Sequence, residues 1–167
     1  MARQVFYSFH FARDSQRVSQ VKNMGVVGGQ QILSSNDWED VKKGGNDAIK
    51  QWIAEEMKGK SCLVVLIGKE TAGRKWVKYE IEKAWNDKKG VVGVYIHNLK
   101  NLAGEQDTKG NNPFTTFTMC EGKKQMSNTV KAYDPPYTTS TYVYDHIKEN
   151  LADWVEEAIS IRNAFTC

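Results

Sequence analysis

The stretch Ser61-Cys62-Leu63-Val64-Val65-Leu66-Ile67-Gly68 determines how the rest of the sequence is interpreted. Its six central residues are all apolar, whereas a strand with one exposed face would alternate apolar and polar side chains. The pattern therefore predicts a strand that is covered on both faces, as in the middle of a parallel sheet. The glycine that follows ends the strand.

Strands and helices alternate on either side of this segment. Residues 3–9 predict a buried first strand, and a short helix follows with Val18 and Val21 at helical spacing. Further helices are predicted from Asn46 to Gly59 and over residues 75–88, with another buried strand over residues 91–96. Because the connections are short, we expect an α/β fold with a central, mostly parallel sheet and helices on both faces.

Two regions are less regular. Residues 25–40 contain three glycines and the turn-forming sequence 34–37, and a short strand fits the pattern at either 26–27 or 31–33. Residues 97–127 form a long irregular segment, and connections of this length are often functional. A short strand near 130–133 and an amphipathic helix from about Val143 to Ile159 complete the chain. We expect one domain over residues 1–167.

Charge and hydropathy exclude several classes of partner. The 167 residues include 23 basic and 20 acidic side chains, and the net charge of +3 is scattered rather than clustered. Nucleic-acid binding requires a clustered basic face, so no nucleic-acid partner is expected. The longest apolar run is about six residues, far below the roughly 20 that span a bilayer, and no secretory pattern opens the sequence. We expect a soluble cytoplasmic protein without a membrane partner.

Familiar catalytic and metal-binding motifs are absent from the sequence. Cys62, Cys120 and Cys167 are odd in number and widely spaced, which argues against a disulfide framework and against zinc, and Cys62 is interpreted as a buried apolar residue. The Gly-Lys pair at 68–69 lacks the rest of a phosphate loop, and no G-x-S-x-G nucleophile motif occurs. His10 and His97 follow predicted strands, where ligands of parallel sheets bind, but neither belongs to a metal-ligand pair.

The sharpest local feature is the sequence 74–81, Arg-Lys-Trp-Val-Lys-Tyr-Glu-Ile. Trp76 and Glu80 are four residues apart and share one helix face, beside the core stripe of Val77 and Ile81 and near the strand-end rim. A carboxylate beside an indole suits a cationic, sugar-like species, because the acid stabilises positive charge and the ring stacks on a planar base. The alternative is a surface acid paired with a lysine and a tryptophan at the edge of the core.

Five segments in chain order resemble the TIR-like proteins of the bacterial Thoeris anti-phage system. They are Val5-Phe6-Tyr7-Ser8-Phe9-His10, Trp38-Glu39-Asp40, Val65-Leu66-Ile67-Gly68, the sequence 74–81, and Lys109-Gly110-Asn111-Asn112-Pro113-Phe114. The Trp-x-x-x-Glu spacing also resembles that of TIR domains that cleave NAD. The resemblance implies a flavodoxin-like TIR fold and cleavage of the nicotinamide–ribose bond of NAD, with cyclisation of the ADP-ribose product into a signal.

The resemblance also assigns roles to individual residues. Glu80 matches the catalytic glutamate, and Trp76 matches the ring that packs against the nucleotide. Ser8, Phe9 and His10 match the strand-end loop that borders the substrate. Asn112 lies in a segment that either lines the site or forms a structural turn.

The implied reaction needs no metal and no bound cofactor, because NAD is itself the substrate and its nicotinamide is a cationic leaving group. The resemblance further implies self-association into TIR assemblies, a phage component as trigger, and a downstream effector that responds to the nucleotide signal. Two alternatives remain open. One is a non-catalytic TIR-type interaction module, and the other is a nucleotide-binding or receiver-like flavodoxin fold. A receiver would place acidic residues where Ser8-Phe9-His10 stands, which argues against it.

Overall fold

The apolar segment 62–67 is the central strand of a five-stranded sheet. A computed structural model describes residues 2–167. The strands, in chain order, are β1 (Gln4–Ser8), β2 (Gly28–Gly29), β3 (Cys62–Ile67), β4 (Gly90–Tyr95), β5 (Thr118–Met119), β6 (Lys124–Gln125) and β7 (Ala132–Tyr133). The α-helices are α1 (Phe11–Asn23), α2 (Ser35–Lys43), α3 (Gly45–Met57), α4 (Lys75–Asn86) and α5 (Ser140–Ala164).

The main sheet has the strand order β2-β1-β3-β4-β7, and every neighbouring pair is parallel. This is the flavodoxin-like order, in which the chain first moves outward to one edge and then crosses back past β1. The predicted fold class is therefore confirmed. Strand order reverses between β1 and β3, and ligands of such sheets bind at the carboxyl ends of the strands next to this point.

The apolar run of β3 is explained by the two helical layers. Cys62, Val64 and Leu66 face the layer that contains α1 and α5. Leu63, Val65 and Ile67 face the layer that contains α3 and α4. All six residues of the strand are fully buried, so neither face tolerates a polar side chain. The two apolar layers hold the sheet between them, and the strand ends carry the polar residues.

Residues 25–40 differ from the prediction. The predicted turn at 34–37 is the start of α2, because the Ser34 hydroxyl accepts a hydrogen bond from the Asp37 backbone N–H at 3.1 Å and caps the helix. The short strand β2 lies at Gly28–Gly29, between the two positions that the pattern allowed. A side chain at Gly29 would approach the Tyr7 ring to 2.5 Å, so glycine allows this strand to lie close to β1.

The expectation about cysteine pairing is wrong for two of the three residues. Cys120 and Cys167 form a disulfide, with their Cα atoms 5.4 Å apart across 47 residues of sequence. Spacing alone could not show this, because α5 runs back along the sheet and returns the chain to the β5–β6 hairpin. Phe165, just after α5, packs edge-on against Trp85 and lies beneath the Lys124 ammonium group. Cys62 is a free, fully buried thiol, as predicted.

The long segment 97–127 is irregular, as predicted, but it is held firmly against α1. The Arg17 guanidinium donates to the backbone carbonyls of Leu99 and Glu105 at 2.8 and 2.9 Å. Arg13 forms an ion pair with Asp107 at 2.6 Å. Short 3-10 turns at Pro113–Thr116 and Met126–Asn128 flank the hairpin. Within residues 2–167, no helix is both long and apolar enough to cross a membrane.

Gly110 provides a test of how tightly this segment packs on the carboxyl end of β3. A Cβ atom at Gly110 would lie 2.1 Å from the Gly68 carbonyl oxygen, whereas a Cβ at Gly73 would meet nothing within 4 Å. Gly110→Ala should therefore lower the free energy of unfolding by about 2 kcal/mol, a typical cost of overpacking. Gly73→Ala should leave it nearly unchanged. Urea unfolding of both variants measures the difference, and equal stabilities would show that the segment is free to move away.

Candidate active site

A buried carboxyl group lies at the carboxyl end of β1. Ser8, the last residue of β1, donates a hydrogen bond from its hydroxyl to Glu80 Oε1 at 2.7 Å. Glu80 is 7% exposed, and it lies on the inner face of α4 with Val77, Ile81 and Ala84. The sequence predicts a carboxylate beside the core stripe; the structure places it within that stripe. The alternative of a surface acid paired with a lysine is therefore contradicted.

Burial changes the acidity of this group. Desolvation raises the pKa of Glu80 to about 8, and the hydrogen bond from Ser8 opposes this rise because it favours the charged form. Glu80 therefore keeps its proton to a higher pH than an exposed glutamate does. A positive charge arriving next to the carboxyl would favour ionisation, so the group is suited to respond to a cationic ligand.

Glu80 lines a cleft of about 390 Å³ beside the first two strands. Residues that follow β1 and β2 form one side, and the start of α4 forms another. Phe9, His10 and Trp76, three of the residues predicted for the site, also line the cleft. Ser8 is fully buried and is not among the lining residues, so it connects to the cleft through Glu80. The structure thus brings together five of the six predicted residues.

Asn112 lies elsewhere. Its side-chain oxygen accepts a hydrogen bond from the Phe114 backbone N–H at 2.9 Å and caps the 3-10 turn at Pro113–Thr116. It is not among the residues that line the cleft. Of the two roles that the sequence left open for Asn112, the structure shows the turn.

His10 faces the cleft from the residue before α1. Burial lowers its pKa, and the nearby Arg74 and Arg13 charges lower it further, while Glu70 acts in the opposite direction. A neutral imidazole at physiological pH follows. Among the described residues, its buried Nδ1 atom has no hydrogen-bond partner. Three cationic side chains, Lys42, Arg74 and Lys75, also line the cleft.

Gln30 is a site residue that the sequence reasoning missed. Its side-chain oxygen accepts from the Tyr7 N–H, and its side-chain nitrogen donates to the Tyr7 carbonyl, both at 2.9 Å. The amide thus takes the place of a neighbouring strand after β2 ends at Gly29. Because Ser8 follows Tyr7 directly, this pairing fixes the backbone that carries the Ser8 hydroxyl. No sequence signal identifies a glutamine that pairs in this way.

Metal binding finds no support within residues 2–167, where no group of three or more His, Cys, Asp or Glu side chains could hold an ion. The chemistry available in the cleft is that of a buried acid, a neutral imidazole, aromatic rings and three cationic side chains. Together they suit an anionic, aromatic ligand that carries a positive charge near Glu80.

The flavodoxin-order sheet, with an acid-bearing cleft beside β1, is the arrangement expected of a TIR-like domain, and the comparisons establish that class. A family model described as "Thoeris protein ThsB, TIR-like domain" matches residues 6–101, more than half of the chain. The chain is also 36% identical over 119 residues to a Bacillus cereus (strain MSX-D12) protein named "Putative cyclic ADP-D-ribose synthase ThsB1". That match covers 68% of this chain but only 62% of the relative, which is less than two thirds of its length. The chain belongs to the Thoeris ThsB family of TIR-like proteins.

The buried acid should affect stability in a pH-dependent way. A folded-state pKa of about 8, against an ordinary value of 4.5, means that ionising Glu80 destabilises the fold as pH rises through this interval. Glu80→Gln keeps an acceptor for Ser8 and cannot ionise. It should be more stable than the parent above pH 8, by about 4–5 kcal/mol, with the difference vanishing near pH 4.

Denaturant unfolding between pH 4 and pH 9 measures this effect. Glu82→Gln, on the exposed side of the same helix, is the matched control and should follow the parent protein throughout. A Glu80→Gln variant that is less stable than the parent at pH 9 would contradict the burial argument.

Proposed function

We propose that this protein cleaves the nicotinamide–ribose bond of NAD and joins the ADP-ribosyl group to the adenylate half of the same molecule. The product is a cyclic ADP-ribose-type signal for anti-phage defence. The observation that carries the proposal is the placement of Glu80, a buried acid at a cleft that is also lined by Trp76 and His10. The name of the Bacillus cereus relative supports the same activity.

The chemistry requires little beyond a well-placed carboxylate. The bond between ribose C1 and the nicotinamide nitrogen breaks, and its electron pair neutralises the cationic ring, which leaves as nicotinamide. The ribose then carries the positive charge of an oxocarbenium-like species, as in glycoside cleavage. Glu80 stabilises this charge from within the protein, where the low dielectric strengthens the interaction. NAD is the substrate, and the step calls for no metal and no bound cofactor.

The remaining site residues position the dinucleotide. Trp76 and Phe9 provide aromatic surface for the nucleotide, and His10 borders the ribose as a neutral hydrogen-bonding group. Ser8 orients the Glu80 carboxyl through the 2.7 Å hydrogen bond. The cationic side chains of Lys42, Arg74 and Lys75 complement the negative diphosphate of NAD. Asn112 supports the site indirectly, through the turn that it caps.

The titration of Glu80 determines the pH dependence. In the free protein the pKa of Glu80 is about 8, and only the ionised form stabilises the ribosyl cation. The bound nicotinamide ring is positively charged, so it shifts the equilibrium toward the carboxylate. The substrate thus helps to generate the catalytic form of the enzyme. Catalysis also depends on excluding water, since water would capture the cation and give linear ADP-ribose.

The proposal includes the partners implied by the family. Self-association completes the cleft, a phage component triggers activity, and the nucleotide product reaches a separate effector. A non-catalytic interaction module is the competing function. Its central expectation, that Glu80 makes a contact at the protein surface, conflicts with the burial of this side chain.

Nicotinamide release from NAD tests the proposal. We expect release by the chain when lysate of phage-infected cells is added as the source of the trigger. Under the same conditions we expect a loss of at least about 100-fold in kcat for Glu80→Gln, because the variant cannot oppose the developing charge. The value of kcat/KM should rise about tenfold per pH unit below pH 8 and then level off, whereas kcat should level off at a lower pH. Specific activity should increase with protein concentration if self-association completes the site.

Glu82→Gln is the control variant and should match the parent in every respect. Nicotinamide release that survives Glu80→Gln would remove Glu80 from the reaction. Specific activity independent of dilution would contradict the role of self-association. Absence of NAD cleavage in phage-infected cells that express the protein would favour the interaction module.

A further inference from the structure

A continuous row of aromatic rings lines the cleft, and apart from Phe9 the proposed reaction assigns no role to its members. The row runs Phe9, Phe11, Trp38, Trp52, Phe6, and its successive ring centroids are 6.2, 5.9, 5.9 and 6.1 Å apart. All five residues line the cleft that also contains Glu80. The row, named here the aromatic row, extends from the β1–α1 junction to α3.

Trp38 is the unusual member of the aromatic row. It lies on α2, a nine-residue helix with no fully buried side chain. A helix that buries so little gains little stability from packing, yet it carries a large ring into the cleft. Trp38 meets Trp52 edge-on, with an angle of 64° between the ring planes. Neither this contact nor the tilted one with Phe11, at 33° between the ring planes, is a parallel stack, so Trp38 is not enclosed between two rings and can offer a face to a flat ligand.

The charges near the row indicate the kind of ligand. The Lys42 ammonium group lies 5.9 Å from the centre of the Trp38 ring, and Arg74 and Lys75 line the same cleft. Aromatic faces combined with cations match a purine attached to phosphate, since bases stack on indole rings and phosphates pair with Lys and Arg. A purely apolar ligand would not need the cations, and a simple anion would not need the rings.

We propose that Trp38, with Phe11, binds the adenine ring of the dinucleotide and so determines whether the ribosyl group is cyclised or hydrolysed. This inference rests on the proposed function. When the bond to nicotinamide breaks, the ribosyl cation accepts an electron pair either from an oxygen or nitrogen of the adenylate half or from water. The attacking group's proton, where it has one, passes to solvent. Stacking at Trp38 keeps the adenylate half inside the cleft, where it competes with water.

A comparison of NAD with nicotinamide mononucleotide, which lacks the adenylate half, separates adenine binding by Trp38 from a general loss of activity in the variant. Nicotinamide mononucleotide has the bond to be cleaved but no adenine, so its cleavage does not depend on Trp38. Trp38→Leu should raise KM for NAD roughly 10- to 100-fold, the range expected for losing one stacked base. It should also lower the ratio of cyclic to linear ADP-ribose by about tenfold, and leave nicotinamide release from the mononucleotide within about twofold of the parent.

Two variants control for changes in α2 itself. Trp38→Phe retains an aromatic face and should recover most of the cyclic product. Val41→Ala removes packing between the same helix and the core but leaves the ring in place, and it should behave like the parent protein with both substrates. Equal losses with NAD and the mononucleotide in Trp38→Leu, or an effect of Val41→Ala as large, would overturn the proposal.

Calorimetric binding of ADP distinguishes this inference from the proposed function, because it involves no catalysis. ADP should bind the parent protein and the Glu80→Gln variant equally, and bind Trp38→Leu roughly 10- to 100-fold more weakly. ADP binding that is unaffected by Trp38→Leu overturns the adenine site, whatever happens to NAD. Absence of nicotinamide release from the parent protein in phage-infected cells, with ADP binding still dependent on Trp38, overturns the proposed reaction and supports the adenine site.

Discussion

The hydrogen bond between Ser8 and Glu80 links the fold to the chemistry. A carboxyl group removed from water is costly to ionise, and one hydroxyl offsets only part of that cost. The site therefore holds an acid whose charge depends on what else is present. Two features hold the Ser8 hydroxyl in position to donate to Glu80. One is the parallel pairing of β1 with β3, and the other is the side-chain amide of Gln30, which fixes the backbone next to Ser8. In the proposed reaction, the positive charge of the nicotinamide ring would shift this carboxyl toward its ionised form.

The sheet could be predicted from the sequence because its signals are strong and local. The apolar runs of β3 and β4 leave few alternatives, and the helical spacing of Val77 and Ile81 defines α4. The sequence predictions are wrong or incomplete where tertiary contacts determine the local structure. The helix α2 buries no side chain fully, so it carries no strong apolar stripe, and β2 consists of two glycines. The Cys120–Cys167 disulfide depends on the path of α5, which spacing does not encode.

The site was predictable to a similar extent and for similar reasons. Trp76 and Glu80 stand out because they share one helix face, and the residues after β1 follow from the geometry of parallel sheets. The burial of Glu80 did not follow, since a glutamate between apolar residues reads first as a surface group. Gln30 could not be predicted, because its side-chain amide makes the backbone hydrogen bonds of a neighbouring strand and no sequence pattern marks that role. Trp38 stands out in the sequence only as part of a segment that resembles the family, and its place in the cleft depends on the path of α2.

The most direct test of this account is a measurement of the Glu80 pKa. Carbon-13 NMR of protein labelled at glutamate side-chain carboxyls, with the Glu80 signal assigned by its loss in Glu80→Gln, gives the titration of this one group. We predict a midpoint near pH 8 in the free protein, falling when a cationic nicotinamide ligand is added. A midpoint near the ordinary value of about 4.5, unchanged by the ligand, would show a solvated carboxylate and contradict it.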